Sequence, residues 1–210
     1  MALSSSPLTV TLAFTGASGM PYGIRLLESL LAAGTEVWLL YSQVSQIVAR
    51  QEMDLTLPSR PSEAAAFFRE RFNAKDGQLK VFGREEWFAP AASGSNPADA
   101  MVICPCTMGT LAAVASGLSD NLIERAADVM LKERRPLILV PRETPLSSIH
   151  LENMLRLSQA GATILPANPG FYTRPQSVQD IVDFVVARVL DQLRIPHKLM
   201  PRWGEQGDHH

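Results

Sequence analysis

Residues 9–31 read T-V-T-L-A-F-T-G-A-S-G-M-P-Y-G-I-R-L-L-E-S-L-L. Residues 9–15 form a short run of apolar and β-branched residues, which is typical of a buried strand. The glycines and the serine of 16–19 predict a tight turn. Ile24, Leu27 and Leu31 then recur at helical spacing. This stretch therefore predicts a strand, a glycine turn and a helix, in the order that opens a βαβ unit.

The same alternation of strands and helices continues along the chain. Further strands are predicted at 36–41, 79–82, 100–104, 137–140 and 163–165, with Pro105 and Pro141 expected to end two of them. Helices are predicted after a serine-rich turn at 42–45 and at 62–72, 107–115, 122–132, 149–160 and 178–193. The alternation predicts an α/β fold of three layers, with a mostly parallel sheet flanked by helices in a Rossmann-like or flavodoxin-like arrangement. No repeat or linker divides the chain, so we expect one domain over 1–210 with a C-terminal tail at 195–210.

The composition excludes several classes of function. The 210 residues are 46% hydrophobic and 19% charged, which is enough apolar material for a continuous core. The 19 basic and 21 acidic residues are interspersed and give a formal charge of −2, so no long-range field attracts nucleic acid or an anionic membrane. No apolar run approaches the ~20 residues of a membrane span, and the N-terminus lacks a signal-peptide pattern. We expect a cytoplasmic protein with no nucleic-acid partner and no membrane span.

Small polar residues gather where the predicted strands end. In parallel α/β sheets, ligands bind beyond the carboxyl ends of the strands. The segments at those ends are 16–19, 42–45, 105–110, 142–148 and 169–174. We therefore expect a ligand site at this edge of the sheet.

The glycine turn at 16–19 indicates what kind of ligand binds there. A glycine turn before a helix offers backbone N–H groups, the Ser18 hydroxyl and a positive helix end, which together suit a phosphate. The spacing is not the G-x-G-x-x-G of dinucleotide sites, and Ser42 stands where such a site wants an acid for the ribose. A mononucleotide fits better. The alternative is that the glycines serve only a tight turn.

The segment C-P-C-T-M-G-T at 104–110 places hydroxyls at a strand end and a helix start, where they can cap the helix or bind a ligand. Cys104 and Cys106 are too close together for an ordinary disulfide and too few for a zinc site. We expect reduced thiols that are not nucleophiles, because no cation or histidine stands near them in sequence.

Charged and aromatic residues add a second group of candidates. Each cation by itself is a typical solvated side chain, but together they can bind a second anion. These residues are Arg125, Lys132, Arg142 and Arg188, with the hydroxyl of Tyr172. Glu52, which is expected to follow the second predicted helix, is a candidate for proton transfer or a surface carboxylate. Trp87 and Trp203 can cover a flat ring or pack elsewhere.

Five ordered motifs resemble one family. They are T-G-A-S-G-x-x-Y-G at 15–23, C-P-C-T-x-G-T-L at 104–111, N-L-I-E-R-A-A-D-V-x-L-K-E-R-R-P-L at 121–137, V-P-R-E-T-P at 140–145 and P-G-F-Y-x-R-P-Q-S at 169–177. In this order they are similar to the flavin prenyltransferases of the UbiX type. The similarity runs from about residue 9 to residue 203.

The resemblance implies an enzyme that joins a dimethylallyl unit from dimethylallyl monophosphate to N5 and C6 of reduced FMN. It further implies a homododecamer with active sites at subunit interfaces, and a UbiD-type decarboxylase that receives the prenylated FMN in ubiquinone biosynthesis. The implied FMN contacts are Gly16, Ala17, Ser18, Ser42, Thr107, Met108, Gly109, Thr110 and Arg142. The implied prenyl-phosphate contacts are Lys132, Tyr172 and Arg188, with Arg125 and Arg142 close by. The implied catalytic residues are Ser18, Glu52 and Glu143.

The way in which the departing phosphate is stabilised determines whether such an enzyme needs a metal ion. Many prenyltransferases hold Mg²⁺ on aspartate-rich motifs to stabilise the departing phosphate, and this sequence has no D-D-x-x-D cluster. Cations around a monophosphate can do the same work, so we expect no metal. Two rival interpretations are a flavin-dependent decarboxylase of peptidyl or phosphopantothenoyl cysteine and a non-enzymatic FMN carrier. The first lacks its P-A-S-A-N-T motif here, and the second leaves the cations unexplained.

Overall fold

A single parallel sheet organises the chain in the computed structural model, which describes residues 7–172 and 174–200. The strands are β1 (Thr9–Phe14), β2 (Glu36–Tyr41), β3 (Leu79–Val81), β4 (Ala100–Cys106), β5 (Leu137–Pro141) and β6 (Thr163–Ile164). Their order is β3-β2-β1-β4-β5-β6, and all neighbours pair in parallel. The predicted fold class is confirmed, and the strand order is that of the Rossmann type.

Helices cover both faces of this sheet. They are α1 (Met20–Ala32), α2 (Gln43–Met53), α3 (Pro61–Phe72), α4 (Met108–Ala115), α5 (Leu122–Lys132), α6 (Ser148–Gln159) and α7 (Val178–Leu193), with a short 3₁₀ turn at Pro90–Ala92. Helices α1, α2, α3 and α7 pack on one face of the sheet, and α4, α5 and α6 pack on the other. None of the helices in the described ranges is both long and apolar enough to cross a bilayer.

Two cores result, one on each face. Leu12 and Phe14 of β1 lie in the core under α1 and α7, whereas Ala13 lies in the core under α4 and α5. Successive side chains of a strand point to opposite faces, so both faces of β1 are buried. This is why the central strands read as continuous apolar runs.

The strand β4 does not stop before Pro105, as the sequence predicted, but continues to Cys106. The pairing of β4 with β5 shifts register between Ile103 and Cys106, so the missing N–H of the proline falls where the ladder is already irregular. The carbonyl of Pro105 accepts hydrogen bonds from the backbone N–H (3.1 Å) and the hydroxyl (2.8 Å) of Thr15. Strand β5 likewise includes Pro141, whose carbonyl accepts from the N–H of Ala167 at 3.0 Å.

The chain leaves β1 and β4 in opposite directions. After β1 it crosses by α1 to β2, and after β4 it crosses by α4 and α5 to β5 on the other side. Such a reversal opens a crevice beyond the carboxyl ends of the two strands, where ligands of this fold bind. The candidate site lies at this point.

Candidate functional site

Thr15 links the ends of β1 and β4 at the crevice. Its hydroxyl donates to the carbonyl of Pro105 and accepts from the N–H of Thr107 at 2.8 Å. The N–H of Ser42 donates to the carbonyl of Phe14 at 3.0 Å. Thr15 is itself almost fully buried. The ends of β1, β2 and β4 are therefore held together, with Ser42 and Thr107 on either side.

Three helices begin around a cavity at this place. Ser42 caps α2 by accepting from the N–H of Ser45 (3.2 Å), and Thr107 caps α4 by accepting from the N–H of Thr110 (3.0 Å). Asn121 caps α5, since its side-chain oxygen accepts from two N–H groups in the first turn, those of Ile123 (3.0 Å) and Glu124 (3.2 Å). The lining residues are Thr15, Gly16, Ser42, Val44, Arg84, Thr107, Thr110, Asn121 and Ile123. Helix N-termini are positive, so three of them make the cavity favourable for an anion.

The cavity in one chain is small. Its volume is about 260 Å³, below the ~300–1,000 Å³ typical of sites that enclose a small molecule. Hydroxyls at Ser42, Thr107 and Thr110 supply donors and acceptors suited to a phosphate, and the crevice beside them continues to the glycine turn. The residues present thus fit the phosphate end of a mononucleotide such as FMN, while one chain encloses only part of such a ligand.

The predicted FMN contacts fall into different environments. Gly16, Ser42, Thr107 and Thr110 line the cavity. The side chains of Ala17 and Met108 are buried in the protein, so these residues can offer a ligand only their backbone. Gly109 is exposed in the first turn of α4, and Ser18 is exposed in the glycine turn.

Glu52 occupies the N-terminus of α1. It lies in the last turn of α2, not after that helix as the sequence predicted. One carboxylate oxygen accepts from the N–H groups of Gly19 (2.9 Å) and Met20 (2.8 Å). Gly19 has a φ of 114°, a left-handed conformation that favours glycine. The helix end that we expected to bind a phosphate therefore already holds an anion, and the available N-termini are those of α2, α4 and α5.

Replacing Glu52 by alanine should destabilise the protein by about 1–2 kcal/mol, because a lost helix cap costs this much. Glu52→Gln keeps one acceptor oxygen and should lose less. Urea unfolding of both variants measures the difference, with Glu70→Ala, an exposed carboxylate on α3, as the control. If Glu52→Ala is as stable as Glu70→Ala, the cap contributes nothing to folding.

Arg142 lies beside the same turn. Its Nε donates to the carbonyl of Ser18 at 3.4 Å. Burial raises the pKa of the Tyr22 hydroxyl, Arg142 opposes this shift, and Glu52 adds to it, so these groups are electrostatic neighbours at the start of α1. The carboxylate of Glu143 accepts from the N–H of Thr144 at 3.1 Å.

The other predicted phosphate contacts form two separate groups. On α5, Nε of Arg125 donates to the carbonyl of Ala92 at 3.0 Å, and Lys132 forms an ion pair with its neighbour Glu133. On α7, Arg188 donates to Asp191 at 2.6 Å.

Tyr172 belongs with Arg188. Its exposed ring packs edge-on against Phe184 at 5.9 Å between centroids, and Phe184 and Arg188 line one cleft beside β6. Because α5 and α7 pack on opposite faces of the sheet, one chain does not bring Lys132 and Arg188 together.

The remaining candidates lie away from the cavity. Trp87 is exposed in the loop between β3 and β4 and does not line the cavity, and Trp203 lies outside the described residues. Burial raises the pKa of Cys106 to about 12 and also raises the pKa of Cys104, so both are uncharged thiols at neutral pH. Within the described ranges, no three His, Cys, Asp or Glu side chains are grouped as metal ligands.

Arg84 and Asn121 line the cavity, but neither was predicted as a site residue from the sequence. Asn121 stands directly before a predicted helix, with Glu124 three residues later, so its capping pattern was a usable signal. Arg84 follows an edge strand in a loop, and no local pattern distinguishes it from other surface arginines.

Comparison with known proteins agrees with this geometry. Residues 3–190 match the family model described as Flavoprotein. A flavin prenyltransferase UbiX of Pseudomonas aeruginosa is 60% identical over 202 residues, which cover 96% of this chain and 97% of that protein.

Two solved structures share the whole fold. The crystal structure of AnUbiX (PadA1) in complex with FMN and dimethylallyl pyrophosphate has a TM-score of 0.84 at 41% identity, over 94% of this chain and 98% of that one. A dodecameric FMN-dependent UbiX-like decarboxylase of Escherichia coli O157:H7 has a TM-score of 0.81 at 41% identity. The match covers 93% of this chain and 98% of that one. The predicted resemblance is confirmed, and this chain belongs to the UbiX family of flavin prenyltransferases.

Proposed function

We propose that this protein joins the dimethylallyl unit of dimethylallyl monophosphate to N5 and C6 of reduced FMN, and that it does so without a metal. The main support is the cavity at the β1–β4 crevice, where three helix N-termini and three hydroxyls suit the phosphate of a mononucleotide. The reduced flavin supplies the electron-rich atoms that attack the prenyl unit. The protein then has to position both ligands, stabilise the leaving phosphate and move protons.

For FMN, the hydroxyls of Ser42, Thr107 and Thr110 would hold the phosphate. Backbone groups of the glycine turn, at Gly16, Ala17 and Ser18, and of Met108 and Gly109 would contact the rest of the molecule. Arg142, which already contacts the glycine turn, would lie beside it.

For the prenyl phosphate, we propose a clamp of Arg125, Lys132, Arg142, Tyr172 and Arg188. Positive charge placed around the leaving group stabilises the transition state as negative charge develops there. Since α5 and α7 lie on opposite faces of the sheet, the clamp has to combine residues from more than one copy of the chain. The dodecameric relative supports such an assembly, and the small cavity in one chain agrees with it.

For proton transfer, we propose Ser18, Glu52 and Glu143. Glu52 is tied to two backbone N–H groups beside Ser18, so it would act on a proton at the glycine turn. Glu143 follows Arg142 directly at the end of β5.

The product, prenylated FMN, would be supplied to a UbiD-type decarboxylase in the cytoplasm. The extent of the single domain, 1–210 with a tail at 195–210, stays a prediction. Trp87 and Trp203 stay candidates for covering a ring or a prenyl chain once copies assemble.

Mass spectrometry of the flavin tests the proposed reaction. Protein given reduced FMN, dimethylallyl monophosphate and EDTA should yield a flavin heavier by one prenyl unit. A parallel reaction with the diphosphate shows which donor is used. Unchanged flavin after both ligands are shown to bind would refute the proposal. Release of CO₂ from an aromatic acid by the protein alone would favour a decarboxylase instead.

A further inference from the structure

We infer that Arg84 binds the phosphate of FMN and makes this site prefer FMN to riboflavin. The inference rests on the proposed placement of the FMN phosphate in the cavity at the β1–β4 crevice. Arg84 is not among the residues that the sequence motifs point to.

The position of Arg84 supports this role. It is the one lysine or arginine among the residues that line the cavity. Its carbonyl accepts from the N–H of Leu122 at 2.8 Å, which fixes its backbone at the start of α5, directly beside the Asn121 cap. The loop after the edge strand β3 is thus held beside the cavity by its hydrogen bond to α5, the helix that begins at the cavity.

The side chain of Arg84 is available to a ligand. Within the described ranges its guanidinium forms no ion pair or hydrogen bond. The other two arginines predicted to bind an anion near this edge, Arg125 and Arg142, each donate a hydrogen bond to a backbone carbonyl of the protein. The adjacent Glu86 carboxylate is also engaged, since it accepts from the N–H of Gly83 at 2.9 Å.

The chemistry favours a phosphate over other groups. A guanidinium presents a planar fork of donors that matches phosphate oxygens two at a time. The hydroxyls and N-termini around it supply neutral donors, and Arg84 adds a full positive charge that attracts a phosphate dianion. A hydrogen bond to a charged group contributes enough for its loss to weaken binding by about 10–100-fold. Riboflavin has no phosphate, so its binding should not depend on Arg84.

The experiment compares the two flavins in one set of variants. The full-length protein and its Arg84→Gln, Arg84→Lys and Lys75→Gln variants are titrated with FMN and with riboflavin, followed by flavin fluorescence. Lys75 is exposed just before β3, at the amino ends of the strands, whereas the cavity lies at their carboxyl ends. Its variant therefore makes the same change of charge away from the cavity. Arg84→Gln should raise the Kd for FMN by about 10–100-fold and leave the Kd for riboflavin unchanged. The Kd of Arg84→Lys for FMN should lie between those of the unaltered protein and Arg84→Gln. The Kd of Lys75→Gln should equal that of the unaltered protein.

Two results would overturn the inference. If Arg84→Gln weakens both flavins equally, its role is structural. If it weakens neither, the guanidinium does not reach the phosphate. Failure of the proposed site itself looks different, because the unaltered protein would then bind FMN no better than riboflavin.

Discussion

Arg188→Ala is expected to lower kcat/KM for dimethylallyl monophosphate by about 10²–10³-fold, the loss seen when one donor to a developing anion is removed. The Kd for FMN should not change, because Arg188 lies on α7 beside β6 and does not line the cavity at the β1–β4 crevice. Steady-state kinetics with varied prenyl phosphate and a separate FMN titration measure the two effects. Arg156→Ala, an exposed arginine on α6, is the matched control.

Lys132→Ala should have an effect of the same size for the same reason. The two variants together test whether the clamp is shared between copies. If Lys132 and Arg188 reach one phosphate from different chains, co-assembly of the two variants creates some sites with both residues intact, and activity returns. Mixtures that stay inactive would mean that both residues act from one chain, against their placement on opposite faces of the sheet. Loss of FMN in Arg188→Ala would mean that the clamp belongs to the flavin.

The second large effect is expected at Gly23, where α1 approaches the sheet. A Cβ at this position would lie 2.5 Å from the carbonyl oxygen of Cys104 and 2.9 Å from the ring of Phe14. In an open helix, alanine would stabilise by roughly 0.5–1 kcal/mol relative to glycine. Here the helix has to move away from β1 and β4, and such overpacking costs about 1–3 kcal/mol. Gly23→Ala should therefore be destabilising, and Gly23→Val more so.

Thermal unfolding of Gly23→Ala tests this, with a fall in Tm of a few degrees expected for a chain of this size. Binding of FMN should weaken as well, because α1 begins directly after Gly19, next to Glu52 and the glycine turn. Gly83→Ala is the control, since its Cβ would meet only ordinary contacts at 3.7 and 3.8 Å. If Gly23→Ala is as stable as Gly83→Ala, α1 tolerates a wider separation from the sheet than the structure indicates.

The sequence alone determined the class of fold and the edge of the sheet at which ligands bind. Apolar periodicity is a local property, so the alternation of strands and helices could be followed from residue 9 to residue 193. Helical connections make the strands parallel, so their carboxyl ends lie at one edge of the sheet, and with them Gly16, Ser42 and Thr107. The prediction that β4 ends before Pro105 was wrong. Proline normally interrupts the hydrogen bonding between strands, but the shifted register of β4 and β5 accommodates it here.

Tertiary structure decided which charged groups meet. Glu52 reaches the N–H groups of Gly19 and Met20 across more than thirty residues of sequence, so a helix end that looked open to phosphate is already capped. Arg84 lies at the cavity because its carbonyl accepts a hydrogen bond from the N–H of Leu122, far along the chain at the start of α5. Lys132 and Arg188 lie on helices that pack on opposite faces of the sheet. These relations depend on how helices pack across two faces, and long-range packing leaves no local pattern in the chain.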